Sequence, residues 1–355
     1  MTRVALLGFG TVGSAVARRL VSPDAPPGIV LTHIFDRRAD LKRQTLQTSQ
    51  PVEWTSRFSA VIESDVDIVI EAIGGVEPAA DWIRHALAAG KSVVTANKQV
   101  VARHGASLWA LAARQGRQLR FEAAVGGAMP IVRAIADGLS GERITRIDAI
   151  LNGTTNAVLS RMEARGCSQA AAIAEARANG YAEANPEVDL RGDDARAKLA
   201  ILCALAFGVR VDAGEIGVRS AEHVSGTDLE EARRRNGTVR QIAHAEYDRS
   251  RRRLSAWVAP VFVRRDSIFA RTAGAQNCAV ISGEHAGQIA ISGAGAGGSA
   301  TAVAIISDVL AIARDRAAIV PAPHLTTDFT LTTEITEEPV DFDRQPYGLE
   351  VAEAV

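Results

Sequence analysis

The stretch Thr2-Arg3-Val4-Ala5-Leu6-Leu7-Gly8-Phe9-Gly10-Thr11-Val12-Gly13 decides the fold. Its first half is a short apolar run that reads as a buried parallel strand. Its second half matches Gly-x-Gly-x-x-Gly, and the residues from Gly13 to Val21 have helical character. Gly8 permits the tight turn, Gly10 lets the backbone approach a pyrophosphate, and Gly13 lets helix and strand pack closely. The helix N-terminus, around Thr11 and Val12, adds amide donors for phosphate. A dinucleotide site is therefore expected here. A second strand, 29–35, ends at Asp36. A carboxylate at that point accepts from the ribose 2′-hydroxyl of NAD and repels the 2′-phosphate of NADP. Arg37 and Arg38 follow at once and offer such a phosphate a cation. Both NAD and NADP stay open, with NAD ahead.

Working outward, strands at 67–70, 92–95 and 119–123 alternate with helices at 79–89 and 108–115. This alternation predicts an α/β fold, a Rossmann-type doubly wound parallel sheet over residues 1–130. The pattern changes after Met129-Pro130. Residues 131–300 read as a second, α+β domain for substrate binding and dimerisation. Strand character is expected there at 144–151, 254–262, 268–270, 277–282 and 288–292. Residues 301–355 form a C-terminal segment whose helix, 302–314, returns the chain to the first domain.

Composition removes several classes of function. A net charge of -1 argues against a protein that coats nucleic acid. No run of 18 uncharged apolar residues exists, so no membrane span is expected. Cys167, Cys203 and Cys278 have no metal-like spacing and cannot all pair, which suits a reducing cytoplasm. The seven histidines show no ligand spacing, which argues against zinc. The cations are lopsided: Lys42, Lys91, Lys98 and Lys198 are the only lysines among 40 basic residues. Arginine stays charged, so a lysine kept in such a chain marks a place where a proton moves.

Two of these lysines sit in polar motifs. Lys98 ends Thr95-Ala96-Asn97-Lys98, a strand running into a polar turn near the crevice where a nicotinamide would lie. Lys98 reads as a proton donor or substrate clamp, and Asn97 as the residue that orients a carboxamide or carboxylate. Asp194 and Lys198 are four apart, which puts them on one helical face within ion-pair range. They read as an acid/base unit in which the lysine moves the proton and the carboxylate holds it. Glu183 and Asp189 are candidates for gripping a substrate ammonium. Asn152-Gly153-Thr154-Thr155-Asn156 opens a helix; its amides and hydroxyls, with Thr154 as the substrate-facing one, suit a carboxylate. Gly293-Ala294-Gly295-Ala296-Gly297-Gly298 is a second glycine-rich loop, and Gly298 lets backbone pack against the cofactor.

Together these segments closely resemble the homoserine dehydrogenase family. The resemblance rests on Gly8–Gly13, 95–98, Val125-Gly126-Gly127-Ala128-Met129-Pro130, 152–156, Gly180 to Lys198, and 293–298, in order over residues 1–315. It implies NAD(P)-dependent reduction of L-aspartate 4-semialdehyde to L-homoserine, a step toward threonine, methionine and isoleucine. It implies catalytic roles for Lys198, Lys98 and Asp194, and substrate contacts from Glu183 and Asp189. It also implies a sodium or potassium site around Glu122, Val125, Gly127 and Met129, built mainly of backbone carbonyls, and a homodimer. Asn185 stands where the family usually carries Asp, and residues 219–236 fit the family poorly. The chain stops too soon for the regulatory amino-acid-binding domain of longer members, so a short form is expected. The alternatives are a related dehydrogenase for another small amino or hydroxy acid, and an NAD-sensing regulator without turnover.

Overall fold

The computed structural model describes residues 1–178, 187–316, 318 and 322–335. The first unit is a parallel sheet of β1 (Thr2–Leu7), β2 (Ile29–Phe35), β3 (Glu53–Thr55), β4 (Ile68–Glu71), β5 (Ser92–Thr95) and β6 (Leu119–Arg120). Its order is β3-β2-β1-β4-β5-β6, so the order reverses between β1 and β4, where α/β sheets open a ligand crevice. The central strands are buried on both faces, which is why they read as continuous Val, Ile and Leu. Register levels their C-terminal ends. Leu7 pairs with both Phe35 and Glu71, and Glu71 pairs with Thr95. Gly8, Asp36 and the Asn97-Lys98 turn therefore emerge along one edge.

The second sheet holds β7 (Ile144–Ile150), β8 (Gly217–Val218), β9 (Gly237–Asp248), β10 (Arg253–Arg264), β11 (Gln276–Gly283), β12 (Gln288–Ala294) and β13 (Thr330–Thr332). Its path is β12-β11-β7-β9-β10-β13, with β8 on β10. One face, including Ile147, Ala243, Ala245, Ala256 and Val258, shares a core with Leu199, Leu202 and Cys203 of the helix Asp193–Phe207. The chain then returns. The helix Gly298–Arg314 packs on the helix Thr11–Leu20 through Ile305 and Val309 against Val16 and Leu20.

Four local expectations change. Lys98 does not lie in a free turn; it is the first residue of a helix, Lys98–Arg114, capped by Asn97. The cap satisfies the Val100 amide, and the alanine-rich stretch behind it carries the helix on. Residues 268–270 form a helical turn, Ile268–Arg271, because Ser267 accepts from Ala270 N and caps it. Residues 119–123 pair over only two positions before the backbone turns at Glu122. Strand β9 escaped the apolar pattern because Arg240, Gln241 and His244 interrupt it. All three are buried with partners, Glu163, Leu190 O and Asp148 respectively.

Candidate active site

Three helix N-termini meet at one carboxylate. The helix Lys98–Arg114 brings Lys98, the helix Asp193–Phe207 brings Asp194, and Asn152 caps the helix Gly153–Arg165 that follows β7. Asp194 Oδ1 is ion-paired with Lys98, and Oδ2 takes Lys198 Nζ at 2.8 Å. Asn152 Nδ2 donates to the same Oδ2 at 2.9 Å and to Asp189 Oδ1 at 2.8 Å. Lys198 Nζ also donates to Leu151 O at 2.8 Å. Burial opposes the charge on Asp194, but the Lys198 and Lys98 ammonium groups outweigh it and hold the carboxyl far below the usual carboxylate range. Asp189 goes the other way: burial raises its pKa, and the neighbouring Asp194 charge adds to the rise against the Asn152 hydrogen bond.

The two lysines are not equivalent. Lys198 is 12% exposed and held by two oxygens, whereas Lys98 is 37% exposed. The sequence pairs Asp194 with Lys198 through helical spacing; the fold adds Lys98 to the same carboxylate from almost a hundred residues away. Asn152 is the element that spacing does not reveal. It reads as an ordinary cap, and its Oδ1 does accept from Thr155 N at 2.8 Å, while its Nδ2 bridges two acids. Thr154 lies buried in the first turn of that helix. Glu183 and Asn185 lie outside the described residues.

The glycine loop is shaped for a nucleotide. Gly8 has φ +94°, and a Cβ there would meet Ala72 O at 2.8 Å. A Cβ on Gly13 would collide with Gly8 O, whereas one on Gly10 would meet nothing within 4 Å. Gly10 and Thr11 are exposed, so the helix amides face open space at the point where a pyrophosphate must approach. Val12 is half-buried behind them. A Cβ on Gly298 would meet Thr11 O at 2.9 Å, so this glycine lets two helix N-termini abut. Asn97 is engaged locally: besides capping, its Nδ2 donates to Gly75 O at 2.6 Å. Arg37 and Arg38 are exposed, and Asp36 is buried.

Oxygen atoms gather beside the 122–129 loop. Glu122 is 4% exposed, and burial pushes its carboxyl up to about 7. Its two oxygens accept from Val132 N at 2.9 Å and Arg133 N at 2.8 Å. Gly127 has φ +65°, and a Cβ there would lie 2.5 Å from Gly295 O and 2.7 Å from Ala294 O. Asn277 Oδ1, packed against Gly295, is buried without a hydrogen-bond partner. Among the described residues no group of three or more His, Cys, Asp or Glu is disposed to hold a metal ion. The loop suits a monovalent cation held by main-chain oxygens of Val125, Gly127 and Met129.

Comparison with known proteins supplies the context. The family profile described as homoserine dehydrogenase matches residues 130–310, and the homoserine dehydrogenase NAD binding domain matches residues 8–122. The homoserine dehydrogenase of Corynebacterium glutamicum is 37% identical over 327 residues, covering 88% of this chain and 72% of that protein. The crystal structure of a homoserine dehydrogenase from Thiobacillus denitrificans superposes with a TM-score of 0.84 at 31% identity, covering 93% of this chain and 79% of the other. A hyperthermophilic archaeal homoserine dehydrogenase mutant in complex with NADPH superposes with a TM-score of 0.73 at 28% identity, covering 87% and 96%.

Proposed function

Because this chain belongs to the homoserine dehydrogenase family and is thereby an NAD(P)-dependent oxidoreductase that interconverts L-aspartate 4-semialdehyde and L-homoserine, we propose the following division of labour among its residues. The observation that carries it is Asp194 bridging Lys98 and Lys198.

NAD(P)H, when bound, supplies a hydride to the aldehyde carbon. Gly8, Gly10, Thr11, Val12 and Gly13 hold its pyrophosphate, Asp36 and Arg37 its adenosine ribose, and Asn97 and Gly298 line the approach to its nicotinamide end. Lys198 donates a proton to the carbonyl oxygen as negative charge develops there, and recovers one from solvent. In the reverse direction it accepts the alcohol proton. Its two fixed acceptors leave one N–H for the substrate, which settles its direction before substrate arrives. Lys98 lies on the other oxygen of the same carboxylate and adds positive charge beside that oxygen. Asp194 keeps both amines protonated and in place. Glu183 and Asp189 receive the substrate ammonium, and Thr154 with the helix N-terminus at Asn152 receives its carboxylate.

Residues 1–130 serve as the nucleotide domain, 131–300 as the substrate and dimerisation domain, and 301–355 as the returning segment. The chain works as a homodimer in the cytoplasm and binds neither nucleic acid nor membrane. The exposed edge strand β12, which carries no charged residue, supports self-association, and three unpaired thiols support a reducing compartment. No helix among the described residues is long and apolar enough to cross a membrane. Sedimentation tests the dimer. A sodium or potassium ion at Glu122, Val125, Gly127 and Met129 would keep the Glu122 carboxylate charged; replacing potassium by choline in a melting experiment tests it.

The reaction is tested by oxidising L-homoserine beside a panel of other small amino and hydroxy acids, with NAD and with NADP. Homoserine is expected to dominate. Slow turnover of homoserine beside fast turnover of another acid would overturn the assignment. Asp189 adds a pH signature. Its raised pKa places the acid limb of kcat/KM for homoserine above the ordinary aspartate value of about 4. Below that limb Asp189 is protonated and loses its hold on the ammonium. Asp189→Asn is expected to raise KM by about tenfold or more and to remove that limb. An unchanged profile would take Asp189 out of the substrate grip.

A further inference from the structure

We propose that Lys42 converts the end of β2 into a receptor for a 2′-phosphate, so that this enzyme prefers NADP(H) to NAD(H). The proposal rests on reading Gly8–Gly13 as the nucleotide loop and goes beyond it to the choice of cofactor.

A carboxylate at the end of β2 selects NAD only while its oxygens are available to ribose hydroxyls and its charge is uncompensated. Neither condition holds at Asp36. Its Oδ2 accepts from Lys42 Nζ at 2.6 Å and from Phe9 N at 3.0 Å, and its Oδ1 accepts from Arg38 N at 2.9 Å. The ammonium lies in direct contact and offsets the repulsion that would turn a phosphate away. Lys42 is fixed rather than trailing in solvent. Its Nζ also donates to Phe9 O at 2.9 Å, inside the glycine loop, and its side chain is 21% exposed. A single lysine thus ties the pyrophosphate loop to the ribose-reading carboxylate.

The surroundings have the same sign. Between residues 36 and 43, Arg37, Arg38, Lys42 and Arg43 face only Asp36 and Asp40. Arg37 and Arg38 are exposed, and a guanidinium fork suits a phosphate dianion better than a neutral hydroxyl. The residue that carries the assignment is among the four lysines of a chain that otherwise uses arginine. The compact ammonium reaches both Asp36 and the Phe9 carbonyl at one point, which a planar guanidinium would not match.

Calorimetry with the full chain and two fragments, adenosine 2′,5′-bisphosphate and adenosine 5′-monophosphate, tests this without turnover. The wild type is expected to bind the bisphosphate at least about tenfold more tightly, the scale of one charge-assisted contact, with the margin shrinking as salt rises. Lys42→Met is expected to cut bisphosphate affinity by about tenfold or more while leaving monophosphate affinity unchanged or improved. Lys42→Gln is the second variant if methionine disturbs folding. The kcat/KM ratio for NADPH over NADH should move in step. A wild type that binds both fragments equally, or favours NADH, overturns the preference. A Lys42 variant that weakens both fragments to the same degree overturns Lys42 as the discriminator and leaves it a latch. Failure to bind either fragment or cofactor would instead reject the nucleotide-site reading itself, a different result from an NAD preference.

Discussion

Replacement of Lys198 by methionine is expected to lower kcat by about two to four orders of magnitude, the range for losing a positioned acid or base, while cofactor affinity stays put. Methionine keeps a stem of similar length, so the Asp193–Phe207 helix retains its packing while the ammonium alone is lost. Asp194 keeps Lys98 as a partner, which limits the structural damage. Lys198→Arg should rescue little. It restores charge beside Asp194, but a guanidinium does not give up its proton and does not fit the point where Asp194 Oδ2 and Leu151 O converge. Single-turnover measurement of hydride transfer, together with cofactor titration, reads the two effects apart. A loss below about tenfold would remove Lys198 from the proton transfer, and Lys98 would inherit it.

Asp194→Asn should cost both stability and turnover. The carboxylate is 6% exposed and holds two ammonium groups, so the amide leaves two like charges facing each other. Removing one partner from a buried pair costs about 3–5 kcal/mol; Lys98 reaches solvent, which places this case toward the lower end. The pH dependence has a definite sign. The folded pKa of Asp194 is depressed, so its contribution is complete above the unfolded value near 4 and fades as pH falls through the folded value. Urea unfolding should therefore show the wild type ahead at neutral pH and the gap narrowing in acid. Loss of the carboxylate also removes the charge that favours the protonated form of both amines, so the pH–rate profile should shift toward acid. An Asp194→Asn variant of wild-type stability and unshifted profile would show that Asp194 does not pin the lysines.

How far the site is legible in the sequence depends on the distance over which its parts interact. The Asp194–Lys198 pair is readable because helical spacing alone brings positions four apart together. The glycine loop is readable because each glycine answers a local steric demand, seen at Gly8 and Gly13. Lys98 is marked only by the shortage of lysine, and that mark is imperfect. Lys91 is equally rare, yet it is buried and donates to Ser64 O and Val66 O as a structural tie. Lys42 carries the same mark, but nothing in the spacing from Asp36 says that a short helix will fold its amine back onto that carboxylate. Strand β9 is hidden for a related reason. Its polar residues are satisfied by Glu163, Leu190 and Asp148, none of which is near in sequence.

The amino-acid sequence alone determined the class of fold, the nucleotide loop and the helix that carries Asp194 and Lys198, because periodicity, turn sterics and capping act over a few residues. Tertiary structure alone decided that Lys98, Asn152 and Asp189 share one carboxylate network, and that Lys42 covers Asp36. Those contacts arise when parallel strands end level and three helices start at the same point. Each is an electrostatic pairing between groups that only the packing of distant segments brings within hydrogen-bond range.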